Sequence, residues 1–362
     1  MLNVDYNESA YRKKFQSFQR IFNANKQIFT NDTNILNDIS EQKRELEIER
    51  KKLQSEKVEY NKWQREFARD ELIIEKISEA IDKLEPLNIP DYIDNVEGDK
   101  EYLLNLADCH FGIEFNIKDL FGKTINSYSP EIYEDRMWQL LNELLKIIDQ
   151  NQINVLNIFE LGDAVQGVLR LNSQLMQLKY GIIDSAIKYA EFLANWIAEL
   201  SNFVYIKFQM VYDSNHNQLR ICNAPKNAFP DENMSKVIME FLKLRLRDNP
   251  NVEFIENPTG MNFANLCGYN VLGIHGEVKN LKKSIDDFER SYGNRIDYLV
   301  MGHCHHAHMK EVGINSEVLT VRSIVGVDPY GMSLNKTSNA GASLFVFEVG
   351  KGKTVEYSIK LR

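Results

Sequence analysis

The sequence predicts an α/β body preceded by a helical segment of coiled-coil type. Three observations predict it. From Glu101 onward, short apolar runs alternate with longer amphipathic stretches, the order expected of strands and helices in a layered α/β fold. After residue 308 the amphipathic stretches give way to short strands, "EVLTVRSIVGV", "ASLFVFEV" and "TVEYSIKL", so an antiparallel set closes the body. Residues 33–87 hold no glycine and one proline, Pro86, as a single long helix requires. The division is a helical region with linker, 1–98, and an α/β domain, 99–362.

The elements follow in order. "ESAYRKKFQSFQRIF" places Tyr11, Phe15, Phe18 and Phe22 near one helical face, with Arg12, Lys13, Lys14 and Arg20 around it. It reads as a short amphipathic helix packing on the coil, or as one that contacts nucleic acid. In the long helix an apolar or aromatic residue recurs every seven places: Ile39, Leu46, Leu53, Tyr60, Phe67, Ile74 and Ile81. The companion positions are mostly polar, from Gln42 and Glu49 to Asp70. An antiparallel or dimeric coiled coil is expected, with a lone helix packed on the body as the alternative. Residues 33–87 are therefore the expected site of homodimerisation or partner docking. "LEPLNIPDYIDNVEGD" ends the helix and reads as a linker.

In the body, "SPEIYEDRMWQLLNELLKII" is a helix with Pro130 at its start. "NSQLMQLKYGIIDSAIKYAEFLANWIAEL" and "DENMSKVIMEFLKLRL" are two more. "EYLLNLADCH", "NVLNIFELGD", "FVYIKFQMVYDSNH", "YNVLGIH" and "IDYLVMGHCH" share one design, a buried strand running into a loop of metal-ligand residues. Ligands at the carboxyl ends of successive strands converge on one edge of a sheet.

The chain has seven histidines, and four of them fall in "MGHCHHAH". Asp108 and His110 form a D-x-H pair, and residues i and i+2 of a strand point to the same side. Asp163 follows Gly162 in a strand-to-helix turn, and Asn215 offers a neutral oxygen. His275, His303 and His305 complete seven ligands, enough for two four-ligand sites that share one carboxylate. Nitrogen and carboxylate ligands together suit Mn²⁺ first, with Zn²⁺, Fe²⁺ or Ni²⁺ as alternatives, over Ca²⁺ or Mg²⁺. Two such ions roughly 3.5–4 Å apart would supply a hydroxide nucleophile and clamp phosphate oxygens. His216, beside a ligand and otherwise unassigned, is the candidate proton donor. Arg170 and Arg220 could face phosphate or make surface ion pairs, and His306 and His308 could face substrate. Cys109 and Cys304 stand between ligands and should point away from the metals.

Composition narrows the rest. The net charge of −9 disfavours a broad basic face for nucleic acid, although bound metals add positive charge that a formal count omits. No run of eighteen apolar residues exists, so no membrane span is expected. The start lacks a secretory core and the four cysteines show no paired spacing, which points to a reduced cytoplasm.

The ordered blocks "DCH", "GDAVQG", "SNHN", "GIHGE" and "GHCH", over roughly residues 101–308, resemble the calcineurin-like metallophosphoesterase superfamily. The region "VRSIVGVDPYGMSLNKTSNAGASLFVFE" looks like the tail of its phage-borne, repair-exonuclease-like members. The resemblance implies a four-layer αββα sandwich. It implies one site from Asp108, His110, Asp163 and His305, and a second from Asp163, Asn215, His275 and His303, with Asp163 bridging. Three positions depart from the pattern: Ser214 replaces a glycine, Asn217 an acid, and Gln166 the aspartate that orients the catalytic histidine in phosphatases. The expectation is a phage or prophage nuclease, in the bacterial host's cytoplasm, that hydrolyses DNA or RNA. A phosphatase or cyclic (di)nucleotide phosphodiesterase is the alternative, and a non-catalytic coiled-coil scaffold on the same fold is a further one.

Overall fold

The computed structural model describes residues 8–26, 28, 33–96, 98–167, 172–219, 232–276, 278 and 280–362. The chain forms two compact units, residues 1–75 and 76–362. In the first, helix α1 spans Glu8–Ala24, with Phe18 and Phe22 stacked at 6.2 Å between ring centroids. Helix α2 spans Thr33–Ile81 without a break, and its last turns belong to the second unit. Leu46 and Leu53 of the heptad series are exposed, whereas Ile81 is buried in the second unit's core together with Ile77.

The stretch read as a linker does end the helix, and it lies against the body. The Ile93 N–H donates to Asn251 Oδ1 at 2.8 Å, and Asn251 Nδ2 donates to the Asp91 carbonyl at 2.7 Å.

Two sheets make the centre of the second unit. The first has the strand order β13 (Gly352–Lys360), β12 (Gly341–Glu348), β1 (Lys100–Leu106), β4 (Val155–Glu160), β5 (Tyr205–Met210), β6 (Val252–Phe254), and the second the order β10 (His308–Gly313), β11 (Ser316–Thr320), β9 (Tyr298–Met301), β8 (Tyr269–Ile274), β7 (Asn262–Leu266). Strands β1, β4, β5 and β6 run parallel. In the second sheet β8, β9 and β11 run parallel, flanked by antiparallel β7 and β10. A two-stranded hairpin, β2 (Phe115–Lys118) and β3 (Thr124–Tyr128), stands apart from both.

Strand alternation builds three cores, hence four layers. Leu103, Phe159, Phe345 and Val300 fill the space between the sheets. Leu104, Ile158 and Phe208 face the opposite way and meet α3 (Pro130–Asn151), α4 (Ile182–Leu200) and α5 (Met234–Arg245). Leu272, Leu299 and Met301 of the second sheet meet Ile285 and Phe288 of α6 (Leu281–Tyr292). The architecture is the αββα sandwich. Helix α3 starts as its sequence dictates, with Ser129 Oγ accepting from the Ile132 N–H and Pro130 in the first turn. Trp196 of α4 is fully buried and donates Nε1–H to the Met137 carbonyl at 2.8 Å.

Several expectations change. The helix expected through residues 172–200 is interrupted. Leu178 makes a bridge with Ile113, the Lys179 N–H donates to the Gly112 carbonyl at 2.8 Å, and α4 restarts after Gly181. These pairings compete with helical bonds, and the glycine lowers helix propensity where they win. The strand expected through "EVLTVRSIVGV" ends at Thr320. The following residues leave the ladder, and the Ile324 and Val325 N–H groups donate to the Ala107 and Asp108 carbonyls. The closing strands do not form one set: β12 and β13 join the first sheet, β10 and β11 the second. Among the described residues, no helix is long and apolar enough to cross a membrane.

Candidate metal centre

The five strands expected to end in ligands are β1, β4, β5, β8 and β9, and each does run into its ligand loop. They belong to two sheets, so the ligands meet across two facing rims and not along one sheet edge. Past the strand ends the β1 and β4 loops stay zipped. The Asp108 N–H donates to the Gly162 carbonyl at 3.2 Å and the His110 N–H to the Asp163 carbonyl at 2.9 Å. This sets Asp108 and Asp163 side by side.

Pleat alternation does not aim the D-x-H pair. Asp108, His110, Asp163, His303 and His305 all have left-handed backbones, with φ of 51°, 44°, 53°, 61° and 58°. Each such non-glycine residue costs roughly 1–2 kcal/mol, and concentration of this strain in one place marks a functional site. Cys109, between two of them, points into the apolar core, where Tyr189 Oη contacts its sulfur at 3.7 Å. Gly162 has φ of 90°, and a Cβ there would lie 2.6 Å from the Ser214 Cβ and 3.0 Å from His275 Nδ1. Only glycine lets this turn lie against the ligands.

All seven sequence-assigned ligands come together. His305 Nε2 lies 3.4 Å from Asp108 Oδ1 and 3.3 Å from His110 Nε2. Asp163 Oδ2 lies 3.0 Å from His275 Nε2 and 4.0 Å from His110 Nε2. His275 Nε2 is 2.9 Å from Asn215 Oδ1 and 3.2 Å from His303 Nδ1. Among the described residues, three groups could each hold an ion: Asp108, His110 and His305; Asp163, His275 and His303; and His110, Asp163 and His216.

The donor set fits divalent metal. Gln166 Oε1 lies 2.9 Å from His110 Nδ1, and the Leu161 carbonyl lies 2.9 Å from His275 Nδ1. Each acceptor fixes the proton on Nδ1 and leaves the Nε2 lone pair aimed at the cluster, the support that metal-bound histidines receive. The Nε2 atoms of His110 and His305 lie 3.3 Å apart beside Asp108, close enough to share one proton or one cation.

Electrostatics agree. Burial, and then His216, push His110 down to about 3, so it is neutral and ready to ligate. Burial opposes protonation of His275 and His305 too, but Asp163 carries His275 up to about 10 and Asp108 carries His305 up to about 9. Burial likewise works against both carboxylates, yet the facing imidazoles hold Asp108 below and Asp163 well below the usual range. Without metal, protons on His275 and His305 take the cation's place.

His216 is buried, with its N–H donating to Asp163 Oδ1 at 2.8 Å and its Nε2 3.9 Å from Asp163 Oδ2. Its Nδ1 is buried with no hydrogen-bond partner among the described residues. Gln166 does not orient it, since that amide oxygen is turned to His110. Asn217 does not either: its Oδ1 accepts from the Val165 N–H and its Nδ2 donates to Ser235 Oγ. His306 is exposed, with Nδ1 2.7 Å from the Cys304 carbonyl. Arg170 and Arg220 lie outside the described residues.

Sequence reasoning missed two supporting residues. Ser214 Oγ accepts the Asp163 N–H at 3.0 Å, which gives the departure from glycine a task. Glu160 is fully buried, accepts the Gly162 N–H at 3.1 Å, and is pushed up to about 8 by burial. A carboxylate at the end of an apolar strand was the available signal.

Residues 42–84 match the family model described as the YonJ coiled-coil domain. Among solved structures, Vps29 of Entamoeba histolytica complexed with Zn²⁺ is 10% identical, with a TM-score of 0.31, covering 71% of this chain and 98% of that one. A dimetal phosphatase from Danio rerio is 9% identical, with a TM-score of 0.35, covering 72% of this chain and 99% of that one. Neither likeness is close enough to carry a function across. The curated relative is far nearer: the SPbeta prophage-derived protein YonJ of Bacillus subtilis (strain 168) is 33% identical over 357 residues, covering 97% of this chain and 87% of that protein. With identity of that level over nearly the whole chain, through both the coiled coil and the ligand-bearing body, the protein belongs to the YonJ family.

Proposed function

We propose that the chain is a dinuclear metal-dependent phosphodiesterase acting on nucleic acid, a phage or prophage nuclease. One observation carries the reading: seven ligand side chains from five strand ends converge, with Asp163 Oδ2 within 4.0 Å of both His110 Nε2 and His275 Nε2. Asp108, His110, Asp163 and His305 would hold one ion, and Asp163, Asn215, His275 and His303 the other. Bound divalent ions, with Mn²⁺ first among the candidates, supply a water-derived nucleophile at neutral pH and Lewis acidity toward phosphate oxygens.

The chain's own groups do the rest. Gln166 and the Leu161 carbonyl hold the His110 and His275 rings in the ligating tautomer. His216 presents Nε2 to the same space and donates a proton to the departing oxygen. Burial lowers its pKa in the free protein. The negative charge of an arriving phosphate opposes that shift. The position of His216 is fixed by the backbone bond to Asp163, whose Oδ2 is also 3.9 Å from the ring's Nε2. The exposed Leu46 and Leu53 support the helical segment as a homodimerisation or partner-docking element.

The test is metal analysis followed by a screen of p-nitrophenyl phosphate, bis-p-nitrophenyl phosphate, single-stranded DNA, RNA and cyclic dinucleotides. Hydrolysis of the polymers with Mn²⁺ is expected. Hydrolysis of monoesters or cyclic dinucleotides alone would replace the nuclease reading with its enzymic alternative. A metal-loaded protein inert toward all of them would leave the scaffold reading.

A further inference from the structure

The β2–β3 hairpin carries "KDLFGK" at its tip. Leu120 is 98% and Phe121 94% exposed, more than a core-building sequence would leave in water. The tip is ordered by its own bonds. Asp119 Oδ1 accepts the Phe121 and Lys123 N–H groups at 2.8 Å each, the Asp119 N–H donates to the Lys123 carbonyl at 2.8 Å, and Gly122 takes φ of 81°. An aspartate-capped turn of this kind holds its two apolar side chains outward. Lys118 and Lys123 flank them, both exposed.

The base of the hairpin is tied to the metal-ligand cluster. Tyr128 Oη donates to the carbonyl of Cys109, the residue between Asp108 and His110. Asn126 Nδ2 donates to the Val325 and Val327 carbonyls at 3.0 and 2.7 Å, and the Val325 N–H donates to the Asp108 carbonyl at 3.3 Å. From Phe115, which pairs with Tyr128, the strand rises about 3.3 Å per residue, so the tip is within about 15–20 Å of that anchorage. A nucleic-acid strand covers that distance in about four to six base steps of roughly 3.4 Å.

Resting on the phosphodiesterase reading above, we propose that Leu120 and Phe121 form a base-stacking wedge that engages unpaired bases of a nucleic-acid substrate a few nucleotides from the metal-ligand cluster. Two side chains are far too little surface for a protein partner, whose standard interface takes roughly 800 Å² per side. One aromatic ring suffices for a base, and apolar wedges beside phosphate-contacting cations are how proteins hold unstacked strands. Lys118 and Lys123 supply those cations on a chain that is otherwise net acidic.

The experiment is binding of a single-stranded, phosphorothioate-linked oligonucleotide carrying 2-aminopurine to the Mn²⁺-loaded protein, followed by fluorescence and anisotropy, the linkages slowing cleavage. The full chain is compared with Leu120→Ser/Phe121→Ser and with Phe121→Trp. The double variant should bind roughly 5–100-fold more weakly and lose the 2-aminopurine response, while Phe121→Trp keeps both. Hydrolysis of bis-p-nitrophenyl phosphate with Mn²⁺ should stay within about twofold in every variant, since one stacked base is all that changes. Equal oligonucleotide affinity in the double variant would overturn the wedge and leave the nuclease reading standing if the wild type still cleaves the strand. A wild type that hydrolyses the small diester yet neither binds nor cleaves DNA or RNA would overturn the nuclease reading itself, and the wedge with it. Binding to phosphatidylglycerol vesicles lost only in the double variant would make a lipid surface the occupant and also overturn the proposal.

Discussion

The side-chain oxygen of Gln166 lies 2.9 Å from Nδ1 of His110. The residue at the place where phosphatases carry an aspartate for their catalytic histidine therefore serves a metal-ligand candidate instead. Replacing Gln166 by Ala should weaken the ion held by Asp108, His110 and His305 by about 10–100-fold. Competition against a chelator of known affinity measures it. Unchanged metal affinity would mean that the His110 tautomer needs no support from this amide.

Asp163 reaches toward His110 on one side and His275 on the other. Asp163→Ala should remove both ions, taking Mn²⁺ content from near two per chain to near zero. Elemental analysis after gel filtration decides this. Retention of one ion would show that the carboxylate serves a single site.

His216 is best tested through the leaving group. A nucleotide alkoxide is a strong base and needs a proton to depart, whereas a nitrophenolate does not. His216→Ala should lose roughly 10²–10⁴-fold on a nucleotide diester and far less on bis-p-nitrophenyl phosphate, with metal content unchanged. Since His110, Asp163 and His216 also lie within reach of one point, a drop in metal content would make His216 a ligand instead.

Metal uptake should release protons. In the metal-free protein His275 and His305 hold theirs up to about 10 and about 9. Both folded-state values lie above neutrality, so each ring must give up its proton to ligate, and affinity rises as pH rises toward 9. Between pH 6 and 8 the overall two-ion constant should grow by about 100-fold per pH unit, tenfold for each proton. Titration of Mn²⁺ into weakly buffered protein with a pH indicator reads the protons directly. Uptake that is independent of pH would contradict the protonated metal-free state.

The point of truncation matters. A chain beginning at Lys76 keeps Ile77 and Ile81 in the core and keeps Asn251 bonded to Asp91 and Ile93. A chain beginning at Asp99 loses all of these, and the two isoleucines alone contribute about 1.5–3 kcal/mol each. Thermal unfolding should therefore separate the two, with the shorter chain melting lower. Light scattering should find the 76–362 chain monomeric, and a dimer there would remove the heptad helix from the account of oligomerisation.

Much of the site was legible because its signals are local. Buried parallel strands read as continuous apolar runs, and the five that carry ligands, β1, β4, β5, β8 and β9, stand where their runs end. Histidine is scarce in this chain, so its placement carries information. The β2–β3 hairpin was not legible. Its strands are short and only partly buried, and "FNIK" and "TINSY" offer little apolar alternation. The long helix expected through residues 172–200 was broken by a bridge between Leu178 and Ile113, residues 65 apart, which periodicity within the segment could not reveal.

The sequence by itself determined which side chains meet at the site and that a long heptad helix precedes it, because strand ends, ligand types and helical periodicity are written within a few residues of one another. The tertiary structure alone decided how they meet. It placed the ligands on the rims of two facing sheets, and it turned Asp108, His110, Asp163, His303 and His305 inward through left-handed backbones. It also turned Gln166 to His110, a residue 56 positions away. Such outcomes depend on which distant segments pack together and compensate local strain, and that balance exists only once the layers have assembled.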